Sequence, residues 1–146
     1  MLLAATDVGL AGVWFVGQKH IPTHAHWLAS PEHRVLNHAI RELSDYFNHG
    51  SRSFTVSLDL RAGTAFQQAV WQALLAVEAG TTTSYGAIAL ALGKPGAARA
   101  VGAAIGRNPL SIIVPCHRVV GAGGALTGYA GGLERKTALL RHEGVL

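Results

Sequence analysis

Residues 110–120 read LSIIVPCHRVV, an apolar run that delivers the only cysteine of the chain. Pro115 restricts the backbone just before Cys116, and His117 and Arg118 follow directly. A thiol becomes a nucleophile when nearby positive charge stabilises its thiolate or a base removes its proton, and His117 and Arg118 are residues of these types. Because adjacent side chains rarely face each other, we expect a water to bridge Cys116 and His117. A lone cysteine that serves only as a small buried hydrophobe is the alternative at this point.

The sequence after the cysteine predicts a pocket wall and an orienting carboxylate. Residues 126–132, LTGYAGG, form a glycine-rich loop that could fold over a pocket. A helix follows and ends at residues 142–144, HEG, where Glu143 would orient His117 as a carboxylate orients the histidine of a nucleophilic triad. The face of this predicted helix consists of Leu133, Lys136, Leu139 and Leu140.

A helical pattern precedes the cysteine segment. One long apolar face runs over residues 66–77, and Ser84 is the expected N-cap of a second helix over residues 85–92. Residues 93–96, GKPG, predict a tight turn before a third helix over residues 97–105. Two short helices joined by such a turn match a helix-turn-helix, although an ordinary helical hairpin has the same pattern.

The third helix is rich in alanine, and Arg99 is its only charged residue. Small side chains let a helix approach a surface closely, and a lone arginine can reach past the backbone into a groove. Alanines also pack helices tightly inside a fold, so both interpretations stay open.

Positive charge is concentrated in the C-terminal part of the chain. Residues 1–84 carry five basic and six acidic side chains, whereas residues 85–146 carry seven basic and two acidic ones, for a net charge of +4. A polyanion such as DNA would be held by the C-terminal part, although small basic proteins often have uneven charge maps.

The N-terminal part predicts a mixture of strands and a helix. Residues 13–16, VWFV, form a short β-prone run, and residues 33–47 predict an amphipathic helix with Val35, Ile40 and Phe47 among its apolar face. Alternating apolar residues over 54–60 predict a half-buried strand, and residues 61–63 form a plausible joint between two domains.

Composition excludes several classes of protein. The chain is 49% hydrophobic and 14% charged, which is typical of a folded domain rather than a disordered chain, and no apolar run is long enough to span a bilayer. One cysteine cannot form an internal disulfide, so we expect a reducing, cytoplasmic compartment and no export. Pairs among His20, His24 and His26 suggest metal ligands, but a zinc site needs further ligands, and we expect no metal.

The chain from Phe66 onward resembles the C-terminal domain of the O6-alkylguanine-DNA alkyltransferases, also called methylated-DNA–protein-cysteine methyltransferases. Four motifs in the family's order and spacing carry this resemblance: GAARAVG at residues 96–102, RNP at residues 107–109, PCHRV at residues 115–119 and GYAGG at residues 128–132. The resemblance implies an α+β protein. A small α/β, ribonuclease-H-like domain over residues 1–62, lacking the family's leading strand, would precede a winged helix-turn-helix-like catalytic domain over residues 63–146.

The resemblance also implies a role for each matching residue. Cys116 would accept the alkyl group, His117 would act as base through a water with Glu143 behind it, and Tyr85 would protonate guanine N3. Arg99 would fill the gap left by the flipped nucleotide, and Asn108 and Arg118 would support the site. The remaining DNA contacts would be Ser84, Lys94, Ala97, Ala98 and Ala100, and the remaining pocket residues Ser111, Val119, Tyr129 and Ala130.

The implied reaction is a single, irreversible transfer from O6-alkylguanine in double-stranded DNA, with O4-methylthymine as a second substrate. It requires no cofactor, and we expect a monomer. Ser111 stands where some relatives have proline and Ala130 where some have serine, which bears on the tolerance for bulky adducts. Two other classes remain as alternatives: a non-catalytic lesion-binding relative, in which the cysteine is commonly replaced, and a cysteine hydrolase that uses Cys116 and His117.

Overall fold

A computed structural model describes all 146 residues and shows a mixed α/β fold of five helices and two two-stranded sheets. In chain order the elements are β1 (Leu2–Ala5), β2 (Leu10–Trp14), α1 (Arg34–His49), α2 (Ala65–Leu74), β3 (Thr83–Ser84), α3 (Tyr85–Ala91), α4 (Ala98–Gly106), β4 (Val119–Val120) and α5 (Leu133–His142), with 3-10 turns at Cys116–Arg118 and Ala122–Gly124. β1 and β2 pair antiparallel, and β3 and β4 pair parallel. None of the five helices combines the length and the hydrophobicity of a membrane-spanning segment.

Helix α1 buries most of the face that the sequence predicts, but this face is rotated toward Tyr46 and away from Ile40 and Phe47. Ala39, Leu43 and Tyr46 are its buried residues, whereas Ile40 and Phe47 are 53% and 43% exposed. Tyr46 lies inward because its hydroxyl finds a buried hydrogen-bond partner, as a buried tyrosine usually requires.

The strand predicted over residues 54–60 is absent, and this prediction was wrong. Only one bridge forms, between Leu58 and Leu10, in an otherwise irregular extended segment. The Glu42 carboxylate accepts the backbone N–H groups of Thr55 and Val56 at 2.7–3.0 Å, so a side chain satisfies donors that a neighbouring strand would otherwise need to bind.

Capping residues set the starts of the central helices. Thr64 and Gln67 form a reciprocal capping box at the start of α2, and Ser84 caps α3 as predicted by accepting a hydrogen bond from the Ala87 N–H. Helix α2 ends at Leu74, earlier than predicted. The Trp71 indole N–H donates to the Ala104 carbonyl at 2.9 Å, which ties α2 to α4.

Strand β2 braces the segment that leads to the cysteine. The Val13 N–H donates to the Pro109 carbonyl at 2.8 Å, and the Ser111 N–H donates to the Val13 carbonyl at 3.0 Å. One buried apolar cluster includes residues from both halves of the chain, among them Leu43 and Ile113. The division into two domains at residue 62 stays a prediction.

Candidate active site

Two tight turns position Cys116. The Ile113 N–H bonds the Ser111 carbonyl at 2.9 Å across Ile112, whose φ of 72° is rare for a β-branched residue and stores backbone strain. The Cys116 N–H bonds the Val114 carbonyl at 2.8 Å across Pro115, at φ −81° and ψ 62°. The apolar run and the proline therefore act as a rigid bend that presents the thiol at the start of a 3-10 turn.

The Asn108 amide connects the end of α4 to the sulfur. Its Nδ2 donates to the Cys116 Sγ at 3.0 Å and to the Val114 carbonyl at 2.8 Å, and its Oδ1 accepts the Leu110 N–H at 2.9 Å. A donor aimed at sulfur favours the thiolate. Asn108 is therefore both a brace of the turn and an electrostatic partner of the nucleophile.

His117 and Glu143 form a hydrogen-bonded pair without solvent contact. His117 Nε2 lies 2.8 Å from Glu143 Oε2, and both side chains are fully buried. The Glu143 carboxylate is ionised and can only accept, so the imidazole carries its proton on Nε2. His117 Nδ1 thus holds the free lone pair, and this buried atom has no hydrogen-bond partner in the protein.

Two further side chains hold the Glu143 carboxylate. The Arg118 guanidinium donates to both carboxylate oxygens at 2.8 and 2.9 Å and to the Val77 carbonyl at 2.6 Å. The Tyr46 hydroxyl donates to Oε2 at 2.7 Å. Arg118 therefore faces Glu143, and the sequence-based interpretation that it stabilises the Cys116 thiolate directly is not supported by this geometry.

The charges of these groups follow from their surroundings. Burial raises the pKa of the Cys116 thiol, and the Asn108 hydrogen bond and the charge of Lys136 offset part of that rise. Burial lowers the pKa of His117, although Glu143 acts in the opposite direction. Burial alone would raise the pKa of Glu143, but hydrogen bonds from His117 and Arg118 hold it well below its usual range. At neutral pH the resting site has a thiol, a neutral imidazole and a carboxylate.

Lys136 is a buried cation that the sequence reasoning placed only on a helix face. Its Nζ donates to the Val119 carbonyl at 2.6 Å and to the Thr127 carbonyl at 3.1 Å. Burial lowers the pKa of Lys136, and the neighbouring Cys116 acts in the opposite direction. The sequence did contain a signal for this burial: Lys136 lies on a helix face that otherwise consists of leucines, and a residue on such a face is buried together with its charge.

A cavity of about 420 Å³ lies between the start of α3, the end of α4 and the glycine-rich loop, and the buried Cys116 is not among its lining residues. Tyr85, Tyr129 and Ala130 contribute to its lining, whereas Ser111 and Val119 are buried and lie outside it. The buried Tyr129 hydroxyl lies near Ser111 and the Cys116 sulfur without a hydrogen-bond partner in the protein. A larger apolar cavity of about 740 Å³ is lined by Trp14, Trp27, Trp71 and others, and contains none of the reactive groups.

The predicted DNA contacts lie on and around α3 and α4. Lys94, Arg99 and Ala100 are exposed, and Ser84, Ala97 and Ala98 are half-buried. No group of three or more His, Cys, Asp or Glu side chains that could hold a metal ion is present, either among the early histidines or elsewhere.

Comparisons with known proteins match this chain to one family. Residues 65–145 match the family described as 6-O-methylguanine DNA methyltransferase, DNA binding domain. The methylated-DNA–protein-cysteine methyltransferase of Mycobacterium tuberculosis is 50% identical over 143 residues, which cover 98% of this chain and 85% of the relative. A relative of the same name from Methanosarcina acetivorans is 48% identical over 145 residues, covering 99% of this chain and 91% of the relative.

A solved structure shows the same fold. The crystal structure of Mycobacterium tuberculosis OGT in complex with DNA matches with a TM-score of 0.88 at 50% identity, covering 97% of this chain and 84% of that one. The archaeal O6-methylguanine-DNA methyltransferase of Pyrococcus kodakaraensis matches with a TM-score of 0.64 at 34% identity, covering 82% of this chain and 68% of the other. The chain belongs to the 6-O-methylguanine DNA methyltransferase family.

Proposed function

We propose that this protein repairs DNA by transferring the alkyl group of O6-alkylguanine irreversibly to Cys116. The observation that carries the proposal is the arrangement of the only thiol: a donor from Asn108 at its sulfur, beside a buried His117–Glu143 pair. O4-methylthymine, which also carries its alkyl group on an exocyclic oxygen, is the second substrate in this proposal.

The reaction begins with removal of the thiol proton. The free lone pair of His117 Nδ1 supports a role as base, with a water carrying the proton from Cys116, while Glu143 stabilises the imidazolium that forms. The sulfur attacks the saturated carbon on O6, the C–O bond breaks, and its electrons pass into the guanine ring. Tyr85 supplies a proton to N3 as the guanine leaves. The product is a thioether, so each molecule reacts once.

DNA would bind on α3 and α4, because the alanine-rich α4 with its exposed Arg99 lies there, together with the exposed Lys94 of the preceding turn. Arg118 and Lys136, which add to the positive charge of the C-terminal part, are buried and do not contribute to this surface. An O6-alkyl group lies on the base-pairing edge, so the nucleotide has to leave the stack before a protein sulfur can reach it. Arg99, exposed on α4, would occupy the vacated position, and the backbones of Cys116, Val119 and Ala130 would hydrogen-bond the flipped guanine. Lys94 and the small residues of α4 would lie against the phosphate backbone.

In this proposal the chain consists of two domains, residues 1–62 and residues 63–146. The catalytic part would be a winged helix-turn-helix-like domain, which is supported by the turn between α3 and α4 and by the short β3–β4 pairing. The ribonuclease-H-like description of residues 1–62 rests on the family resemblance.

Intact mass measured before and after incubation with duplex DNA that contains O6-methylguanine tests the function. We expect one methyl group per molecule in the wild type and none in Cys116→Ala, with DNA binding retained, because Cys116 is the only thiol. Lesion-dependent mass gain in Cys116→Ala would refute the assignment of the acceptor. A lesion-binding relative would bind without gaining mass, and a hydrolase would show no lesion-specific reaction.

A further inference from the structure

The Tyr85 hydroxyl is not isolated in the cavity. It lies 2.9 Å from the Thr127 Oγ1, a hydrogen bond in which either atom can be the donor. Both residues contribute to the lining of the same cavity. Thr127 belongs to the loop after the cysteine segment, so this bond connects the start of α3 to that loop across 42 residues of sequence.

Thr127 is exposed, and two other contacts restrain its orientation. Its carbonyl accepts the Lys136 ammonium at 3.1 Å. Its Cγ2 methyl packs on Gly121, where an added Cβ would lie only 2.9 Å from that methyl. With the carbonyl and the methyl both held, the hydroxyl is directed at Tyr85. The ring of Tyr85 is itself packed 3.6 Å from the position of a Cβ at Gly102.

We propose that Thr127 is a positioning residue for Tyr85, donating its hydroxyl proton to the phenolic oxygen. A phenol that accepts a hydrogen bond becomes a stronger donor through its own O–H, because hydrogen bonds in a chain polarise one another. The Tyr85 proton is then directed away from Thr127 and toward the bound base. This inference rests on the proposed function, in which Tyr85 protonates guanine N3.

Thr127→Val removes the hydroxyl while retaining the methyl contact with Gly121, and Thr127→Ser retains the hydroxyl. We expect the single-turnover rate constant for transfer from duplex DNA to fall roughly fivefold in Thr127→Val, the equivalent of one neutral hydrogen bond. Thr127→Ser should restore most of the rate. Thr81→Val, at an exposed threonine outside the cavity, is the matched control and should transfer at the wild-type rate.

A substrate with carbon in place of N3 separates positioning from general damage to the site. With 3-deaza-O6-methylguanine there is no N3 to protonate, so Thr127→Val and the wild type should react at equal rates. An equal loss on both substrates, or no recovery in Thr127→Ser, would show that Thr127 only supports the loop. If Thr127→Val does not fold, Thr127→Ala compared on the two bases gives the same test.

Tyr85→Phe distinguishes failure of this inference from failure of the proposed function. A slow Tyr85→Phe with a wild-type Thr127→Val would overturn the positioning role and leave the function intact. A Tyr85→Phe that transfers at the wild-type rate would overturn the role of Tyr85 itself. In the Tyr85→Phe background, adding Thr127→Val should produce no further loss.

Discussion

The Glu143 carboxylate accepts four hydrogen bonds from three side chains, Tyr46, His117 and Arg118, all inside the protein. An isolated carboxylate would be very unfavourable there, and the Arg118 guanidinium compensates its charge. His117 therefore pairs with an anion that is already neutralised in part. This explains why the effect of burial on the His117 pKa outweighs the opposite effect of Glu143. The imidazole therefore stays neutral and able to accept a proton.

His117→Ala and Glu143→Gln should affect one step, thiol activation. The Cys116 pKa is already raised by burial, so its reaction with a small alkylating reagent should rise with pH up to and beyond the ordinary thiol range. Each variant removes the proton acceptor or its orienting partner, so each should shift that profile to higher pH and lower the rate at neutral pH.

The double variant should be little slower than the slower single variant, because both changes remove the same step. Glu143→Gln leaves Arg118 buried without its anion, so unfolding by urea is measured beside each profile. Additive effects, or an unmoved Cys116 profile in His117→Ala, would leave Asn108 and Lys136 as the groups that activate the thiol.

Much of the reactive centre could be predicted from sequence, because Cys116, His117 and Asn108 are close together in the chain. Glu143 lies at the family's spacing from the cysteine motif. Tyr46 could not, since its partner lies 97 residues away and tertiary packing alone brings them together. Thr127 shows no motif of its own, and only the fold places it against Tyr85.

Helices were more predictable than strands, and local hydrogen bonding explains the difference. Ser84 caps α3 by accepting a hydrogen bond from Ala87, so the start of this helix is determined by a few adjacent residues. The segment over residues 54–60 has a strand pattern, but Glu42 of α1 binds its donors instead of a neighbouring strand. Alternation predicts a half-buried extended chain, and it does not predict which group pairs with the backbone.

Arg99→Ala tests the proposal that α4 enters the DNA. The residue is exposed on α4 and its proposed role exists only when a nucleotide has been flipped, which costs a few kcal/mol. We expect transfer from duplex DNA to slow by about tenfold or more, a loss of about 1.4 kcal/mol, while transfer from the free O6-methylguanine base stays near the wild-type rate.

Arg41→Ala, which removes an exposed arginine from α1, controls for the change in net charge. It should leave both rates nearly unchanged at moderate salt. Equal losses of rate on duplex DNA and on the free base in Arg99→Ala would mean that Arg99 supports the structure of the site and has no role in nucleotide flipping.

Residues before position 63 complete the site. Gln18 accepts the Ser111 hydroxyl at 3.2 Å, and the Lys19 N–H donates to the Ala130 carbonyl at 3.0 Å. β2 bonds the turn before Cys116, and Tyr46 bonds Glu143. The N-terminal part thus holds the turn before Cys116, the glycine-rich loop and the Glu143 carboxylate in one arrangement. Substitutions in the N-terminal part should therefore change the reactive centre.

Tyr46→Phe measures the strongest of these connections. The change retains the ring and removes a buried 2.7 Å hydrogen bond to a carboxylate, so the free energy of unfolding in urea at pH 7 should fall by about 2 kcal/mol. Tyr129→Phe is the matched control, because it also removes a buried hydroxyl, but one without a hydrogen-bond partner in the protein, and it should cost much less. In a Glu143→Gln background, Tyr46→Phe should cost less than in the wild type, since the acceptor is no longer charged. Equal losses for the two tyrosines, or an undiminished loss in the Glu143→Gln background, would mean that Tyr46 contributes by packing alone and does not link the N-terminal part to the carboxylate.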